Sequence, residues 1–454
     1  MTATLLRAGW IVTMDPKLGV LHNGGVLIDG DRIAGVGRDL APPPGADVID
    51  APEAIIIPGL VNAHQHTWQT ALRGMAGDWT ILEYFRHVHA GLATRFRPED
   101  ITIANLVGAL NQINCGATTL MDWCHNTPTP EHTDGGIDGL IESGIRAAFF
   151  HGSPKPDPKP GQKPFWETPH PRAEVERLMK RLPTRDGLVS LGLAILGPHY
   201  ATYEVAAHDL RLAREFGLIA SMHCAGAEAR TPGGWARLNK DGLLSDATNV
   251  VHGNNLTDEE LDLMLGKGVT FTLTPETEMA EGHGFAITGR LRKRGAQPSL
   301  GVDLESGNSG DMFTVARLAL ASQRALDNDE SRRSTGKLPD TSTVRCAEAL
   351  GWITLEGARM LKLAERIGSL TPGKQADLVV LSAGDLNMWP VHDPVVSVIT
   401  QASVANVDSV MIAGQWKKRG GKLAYALLNE RKLALKESGE RILAEMGMAT
   451  NPGV

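Results

Sequence analysis

Cysteine is scarce in this 454-residue chain: Cys115, Cys124, Cys224 and Cys346 are all there is, and no two form a CxxC pair. A disulfide-built scaffold or a zinc ribbon needs more sulfur, more closely spaced. Long apolar runs are missing too, and none approaches the roughly 20 residues of a membrane-crossing helix. Positive charge is not in excess. Forty-five Lys and Arg against 52 Asp and Glu leave a net charge of −7, which argues against a general nucleic-acid or membrane surface. The opening MTATLLRAGWIVTMD interrupts its short apolar run with Arg7 and meets Asp15 soon after, unlike a secretory leader. No short internal repeat is visible. These absences leave a cytoplasmic, enzyme-sized protein, long enough for one large domain with a smaller companion, and its 42% hydrophobic residues are ordinary for a globular chain.

Two textures alternate along what is there. Residues 1–53 carry short, Gly-punctuated β segments such as GGVLIDGDRIAGVG, and the same texture returns over 366–420 in GKQADLVVLS and VDSVMIAGQW. One β-sandwich assembled from both chain ends accounts for that symmetry. Between them, over 54–365, eight short apolar runs (54–62, 117–123, 146–151, 189–197, 219–223, 249–252, 269–274 and 298–302) are separated by longer stretches with helical periodicity, such as TYEVAAHDLRLAREFG and LTDEELDLMLGKG. Runs apolar almost throughout suit strands buried on both faces. Eight β–α units in series predict a (β/α)₈ barrel, with a doubly wound open sheet as the runner-up. Residues 421–454 read as a charged amphipathic helix that packs on the barrel exterior or on a partner subunit.

Barrel enzymes carry their chemistry at the C-terminal ends of the strands. In IIIPGLVNAHQHTWQTALRG the first run delivers His64 and His66, one residue apart and able to share one ion. LGPHY supplies His199, ASMHCAG His223, NVVHGNN His252 and SLGVDLES Asp303. A lone buried histidine is usually a satisfied core residue; five at predicted strand ends, with a carboxylate, match a catalytic metal site with an open position. A second pair with the same spacing, His87 and His89, falls in WTILEYFRHVHAGLATRF, which reads as helix, where residues two apart diverge. It is not expected to be the metal motif, although either His can line a pocket. His125 and His151 also follow predicted strands and are held as pocket candidates.

PGLVNAHQH, MHCAG, VVHGNN, GVD and the closing IGSLTPGKQADLVVL together resemble the amidohydrolase superfamily, in its branch of cytosine-deaminase-like and triazine-hydrolase-like enzymes. The resemblance covers nearly the whole chain. It implies that His64, His66, His223 and Asp303 are metal ligands and that His252 lies beside the metal. Two departures stand out. Deaminases of this branch usually carry His-x-x-Glu at the fifth strand, the Glu shuttling a proton to a ring nitrogen; here the position is Gly226, and the nearest carboxylate is Glu228. A Ser-Asn pair usual after the seventh strand is replaced by TPETEMAEGHG, with Glu276, Glu278, Glu281 and His283. Of these Glu276, the first after the strand, is the candidate replacement shuttle. The fourth-strand stretch AILGPHYA lacks the Lys that bridges two ions in binuclear members, so one divalent transition metal per chain is expected. Zinc suits the ligands, with iron, cobalt or manganese able to occupy them.

The expected activity is hydrolysis of a non-peptide C–N bond in an amide, urea, carbamate or cyclic amide by metal-activated water. Asp303 would act as general base and acid, with His252 stabilising developing charge. The missing Glu weighs against the alternative, deamination of a nitrogen heterocycle, and displacement of chloride or a thiol from such a ring also stays open. His199, Trp68 and Trp123 are candidate pocket residues. A metal-binding or structural relative without activity is the non-enzyme alternative. Partners are expected to be a small-molecule substrate and further copies of the chain, with no nucleic acid and no membrane.

Overall fold

A computed structural model describes residues 3–226 and 228–448. Its centre is a barrel of eight parallel strands in sequential order: β5 (Leu60–Gln65), β6 (Ala117–Cys124), β7 (Arg146–Gly152), β8 (Val189–Ala194), β9 (Ala220–Cys224), β10 (Thr248–His252), β11 (Thr270–Leu273) and β12 (Ser299–Leu300). The last strand returns to the first through a parallel bridge between Gln65 and Asp303. Burial on both faces explains the uninterrupted apolar runs, since every residue of β5, β6 and β7 is buried. Along β6, Met121 and Trp123 join one core cluster while Leu120 and Cys124 join another, the two faces of one pleat.

The sequence patterns become helices for local reasons. In Asp258–Leu265, Thr257 Oγ1 accepts from the Glu260 N–H while the Glu260 carboxylate accepts from the Thr257 N–H, a reciprocal cap. TYEVAAHDLRLAREFG folds as Tyr203–Glu215 and stops ahead of Gly217, whose φ is +63°.

The chain ends build a second, mixed sheet from β1 (Thr4–Val12), β2 (Val20–Asp29), β3 (Arg32–Gly37), β4 (Asp47–Pro58), β13 (Leu378–Ser382), β14 (Val407–Ile412), β15 (Gln415–Arg419) and β16 (Lys422–Leu423). Its order is β16-β15-β14-β13-β4-β1-β2-β3, so β13 from the C-terminal part pairs with β4 from the N-terminal part. The run expected at 54–62 as a single barrel strand is in fact two strands. Ile55, Ile56 and Ile57 belong to β4 and pair with β1 and β13, past the expected 53/54 boundary; the barrel begins only at Leu60. Gly59 makes the turn between the sheets, where any side chain would collide with Thr118. The helix Leu428–Glu445 packs against the helix Pro98–Asn114, with Ser438 donating to Asp100 at 2.6 Å and Arg441 paired to the same carboxylate. The last six residues of the range 421–454 lie outside the described residues.

A buried ion pair joins the two sheets. Arg146, at the start of β7, makes a bidentate contact with Asp377 at 2.8 and 3.1 Å, both side chains at most 3% exposed, and Asp377 also accepts from the Ala413 N–H. Removing one partner leaves the other charged and dry, at a cost of about 3–5 kcal/mol. Asp377→Ala is therefore expected to lower the denaturant midpoint sharply; an unchanged midpoint would show that the sheets do not depend on this pair.

Candidate active site and metal centre

Backbone pairing at the barrel seam assembles the centre. The His66 N–H donates to the Asp303 carbonyl at 2.8 Å, and the Asp303 N–H donates to the His64 carbonyl at 2.9 Å. Gly301 lies so close to His64 that a Cβ would sit 2.5 Å from its carbonyl oxygen. Asp303 and His252 both have φ near +70°, a left-handed conformation that non-glycine residues rarely adopt and that recurs at functional sites.

These constraints bring His64, His66, His223 and Asp303 together, all buried, with one candidate ligand atom from each lying within 4.8 Å of the others. Nε2 of His223 lies 3.1 Å from Nε2 of His64, and Asp303 Oδ1 lies 3.3 and 3.4 Å from Nε2 of His64 and His66. The Trp123 carbonyl lies 2.7 Å from Nδ1 of His66, which fixes the proton on Nδ1 and leaves the Nε2 lone pair free for an ion. Burial pushes His66 down to about 3 and His223 well below the usual imidazole range, so both are neutral donors at pH 7. Burial alone would raise the Asp303 carboxyl, but the hydrogen bond to His64 and the imidazoles of His64, His252 and His66 hold it far below the carboxylate range. Neutral imidazoles crowded around an ionised carboxylate fit a divalent transition ion. Among the described residues this is the one group of its kind.

His252 stands beside the cluster, with Nδ1 3.0 Å from Thr274 Oγ1 and 3.3 Å from Glu278 Oε1. Thr274 Oγ1 donates to Asp303 Oδ2 at 3.2 Å, so it accepts from the His252 Nδ1–H. Nε2 of His252 is then bare toward Asp303 Oδ2, 3.9 Å away.

A cavity opens over the ligands, and Ile81, Tyr84, Phe85, His89, Lys155 and Tyr200 line it alongside them. Glu281 and His283 complete the wall, 3.8 Å apart, and neither side chain has a hydrogen-bond partner. Burial, followed by the Asp303 charge, pushes Glu281 up to about 9. It is a neutral carboxylic acid at pH 7.

Several expected residues stand elsewhere. Glu276 lies outside the cavity: its carboxylate accepts from the Ser309 N–H and hydroxyl at 3.0 and 2.8 Å and fastens the helix Pro275–Ala280 to the loop that holds Ser309. Glu228 is exposed. Trp68 and Trp123 are fully buried rather than cavity walls; Trp123 packs 4.4 Å from the His223 ring and donates to Ser221, stiffening the ligands from behind. His199 turns away, in the short helix Gly197–Tyr200, to the Ala225 carbonyl at 3.0 Å, and its neighbour Tyr200 faces the cavity instead. WTILEYFRHVHAGLATRF is not one helix but three short turns, Ile81–Tyr84, Phe85–His89 and Leu92–Arg95. His87 packs against Trp79 with tilted rings, whereas His89 reaches the cavity and lies 3.3 Å from His125, Nε2 to Nε2. His151 is buried against His170. Lys155 went unread in the sequence, although its loop follows a barrel strand, where such enzymes keep function.

Purified protein is expected to hold one transition ion per chain, measured by elemental analysis. His64→Ala and His66→Ala are each expected to lose it, while the double change His87→Ala with His89→Ala keeps it. Loss of the ion from that double variant would move the centre to the second pair.

Comparison with known proteins agrees with this geometry. The model of the amidohydrolase family matches residues 55–417. The chain is 30% identical over 420 residues to 8-oxoguanine deaminase of Pseudomonas aeruginosa, spanning 87% of this chain and 89% of the relative. It is 27% identical to 5'-deoxyadenosine deaminase of Methanothermobacter thermautotrophicus, spanning 89% and 91%. Among solved structures, an adenosine deaminase from Xanthomonas campestris with bound zinc superposes with a TM-score of 0.83 at 24% identity, over 98% of this chain and 99% of that one. Atrazine chlorohydrolase from Arthrobacter aurescens complexed with zinc superposes with a TM-score of 0.83 at 22% identity, over 96% and 100%. With four ligands gathered at one end of an eight-stranded barrel and a family match over most of its length, the chain belongs to the amidohydrolase family.

Proposed function

We propose that this protein is a zinc-dependent aminohydrolase that removes an exocyclic amine from a small nitrogen heterocycle. Glu281 carries the reading. Attack on a heteroaromatic carbon disrupts the ring unless a ring nitrogen gains a proton, and the absent Glu at Gly226 leaves that proton to come from another residue. Gly226 has a φ of +85°, strained for any glutamate. Glu281 supplies a protonated carboxyl to the same cavity from the segment after β11. The relatives named above, deaminases of purine compounds, support the same substrate class. Zinc is supported by the donor set and by the zinc in the two structural neighbours.

When bound, a divalent ion supplies Lewis acidity and makes water acidic enough to ionise near pH 7. Asp303, ionised, takes a proton from the attacking water. His252, its Nδ1–H committed to Thr274, accepts the second water hydrogen at Nε2 and so orients the nucleophile rather than donating to developing charge. Glu281 delivers its proton to the ring nitrogen, Asp303 passes its own to the departing amine as the C–N bond breaks, and the proton left on the new hydroxyl returns to Glu281 as the carbonyl forms. Tyr84, Phe85 and Tyr200 give the ring aromatic walls. A cytoplasmic setting is supported by four buried, unpaired cysteines, and a homo-oligomer by the helical exterior of the barrel. No helix among the described residues is long and apolar enough to cross a membrane.

Asp303→Asn is expected to remove nearly all turnover, Glu281→Gln to reduce it by about 10²–10⁴-fold, and Glu276→Gln to leave it close to normal. The pH profile gives a further check. An acid raised to about 9 keeps its proton through neutrality, so kcat should fall as pH rises through about 9, and the residual rate of Glu281→Gln should lack that limb. Rapid hydrolysis of amides and ureas, with no release of ammonia from aminated pyrimidines, purines or triazines, would overturn the substrate class.

A further inference from the structure

The cavity holds one cation that the proposed chemistry does not use. Lys155 lies on the irregular loop after β7, half-buried, with its ammonium 5.4 Å from the ring centroids of both Trp123 and Tyr200. Among the described residues no carboxylate comes within salt-bridge distance of it, and it makes no hydrogen bond. The carboxyl groups around the cavity are already accounted for, although the Asp303 charge reaches Lys155. Asp303 is held by His64 and His66, Glu278 lies beneath His252, and Glu281 is uncharged at neutral pH. The positive charge of Lys155 is felt by His66, His89, His223 and His252, which together with Lys155 line the same space. Burying an ammonium without a counterion is costly, and a lysine on a loop of this kind is free to turn to solvent. Two aromatic faces hold it in the cavity instead, a weak attraction that leaves its hydrogen-bond donors open.

We propose that Lys155 is the anion-recognition residue of the substrate site, so that the preferred heterocycle carries an anionic oxygen, either a carboxylate or an ionised ring oxo group, away from the carbon attacked. This rests on the heterocycle reading above and narrows it. The ring lies between the aromatic walls, its reacting carbon over the ligand cluster and its anionic oxygen against Lys155. Neutral rings of the same size gain the stacking but not the ion pair.

The test uses zinc-loaded enzyme and ligands with no amine to lose, so that it reads binding even if the proposed reaction is wrong. Pyrimidine-4-carboxylate is compared with 4-methylpyrimidine, and barbiturate, an ionised ring oxo compound, with pyrimidine, by calorimetry or tryptophan quenching. Wild type is expected to bind the favoured anion about 10–100-fold more tightly than its neutral counterpart, the range for a hydrogen bond to a charged group. The arm that shows the preference identifies the oxygen. Lys155→Met should erase the preference with neutral-ring affinity, metal content and melting temperature unchanged, and Lys155→Arg should retain most of it. A preference that survives in Lys155→Met would assign the anion to the metal centre and overturn the proposal. Equal binding of anionic and neutral probes by wild type would overturn it too.

Discussion

The site depends on one seam. Closing an eight-stranded barrel requires the last strand to find the first, and β12 is only two residues long. Closure is carried by the residues just beyond it: the Asp303 N–H to the His64 carbonyl, the His66 N–H to the Asp303 carbonyl, and Asn62 accepting from the Val302 N–H at 3.1 Å. Three of the four ligands are therefore fixed by the hydrogen bonds that complete the fold. Glu305, two residues on, extends the arrangement by accepting from Gln65 and Thr70 while paired to Arg73. The left-handed backbone at Asp303 is the local cost of turning a closing strand so that its carboxylate faces inward.

Dry surroundings then set the charges. Burial pushes His66, His223 and His252 down, while the Asp303 carboxylate stays ionised because the hydrogen bond to His64 and the neighbouring imidazoles outweigh its own burial. At Glu278 and Glu281 burial outweighs the neighbouring imidazoles, His252 at 3.3 Å and His283 at 3.8 Å, and pushes the two carboxyls up to about 7 and about 9. Carboxylates from neighbouring strand ends thus reach opposite protonation states without contact with one another.

Most of this was legible where the signal was local. HxH after PGLVNA, MHC, VVHG and GVD each name a ligand or neighbour because a buried strand end leaves few other uses for such residues. What the sequence hid was direction. A continuous apolar stretch from Ala54 to Asn62 cannot reveal that Gly59 passes the chain between two sheets, because both are apolar there. Glu276 and Glu281 look equivalent in TPETEMAEGHG, yet one helical turn and a half separates them. The helix Pro275–Ala280 turns Glu276 out to Ser309 and lets Glu281, at its C-terminal end, face in. Trp68 and Trp123 pose a related problem of direction, since a tryptophan beside a ligand can serve it from the buried side.

Two acids whose pKa values are driven apart amount to an assignment of roles. Free carboxylic acids in water titrate together near pH 4, so no single pH offers one as base and the other as acid. Here Asp303 remains ionised far below neutrality, while Glu281 keeps its proton up to about 9. Across the interval between them base and acid coexist in one cavity, each in the state that hydrolysis of a ring amine requires of it. Gly226 can therefore lack a carboxylate without the site lacking a proton.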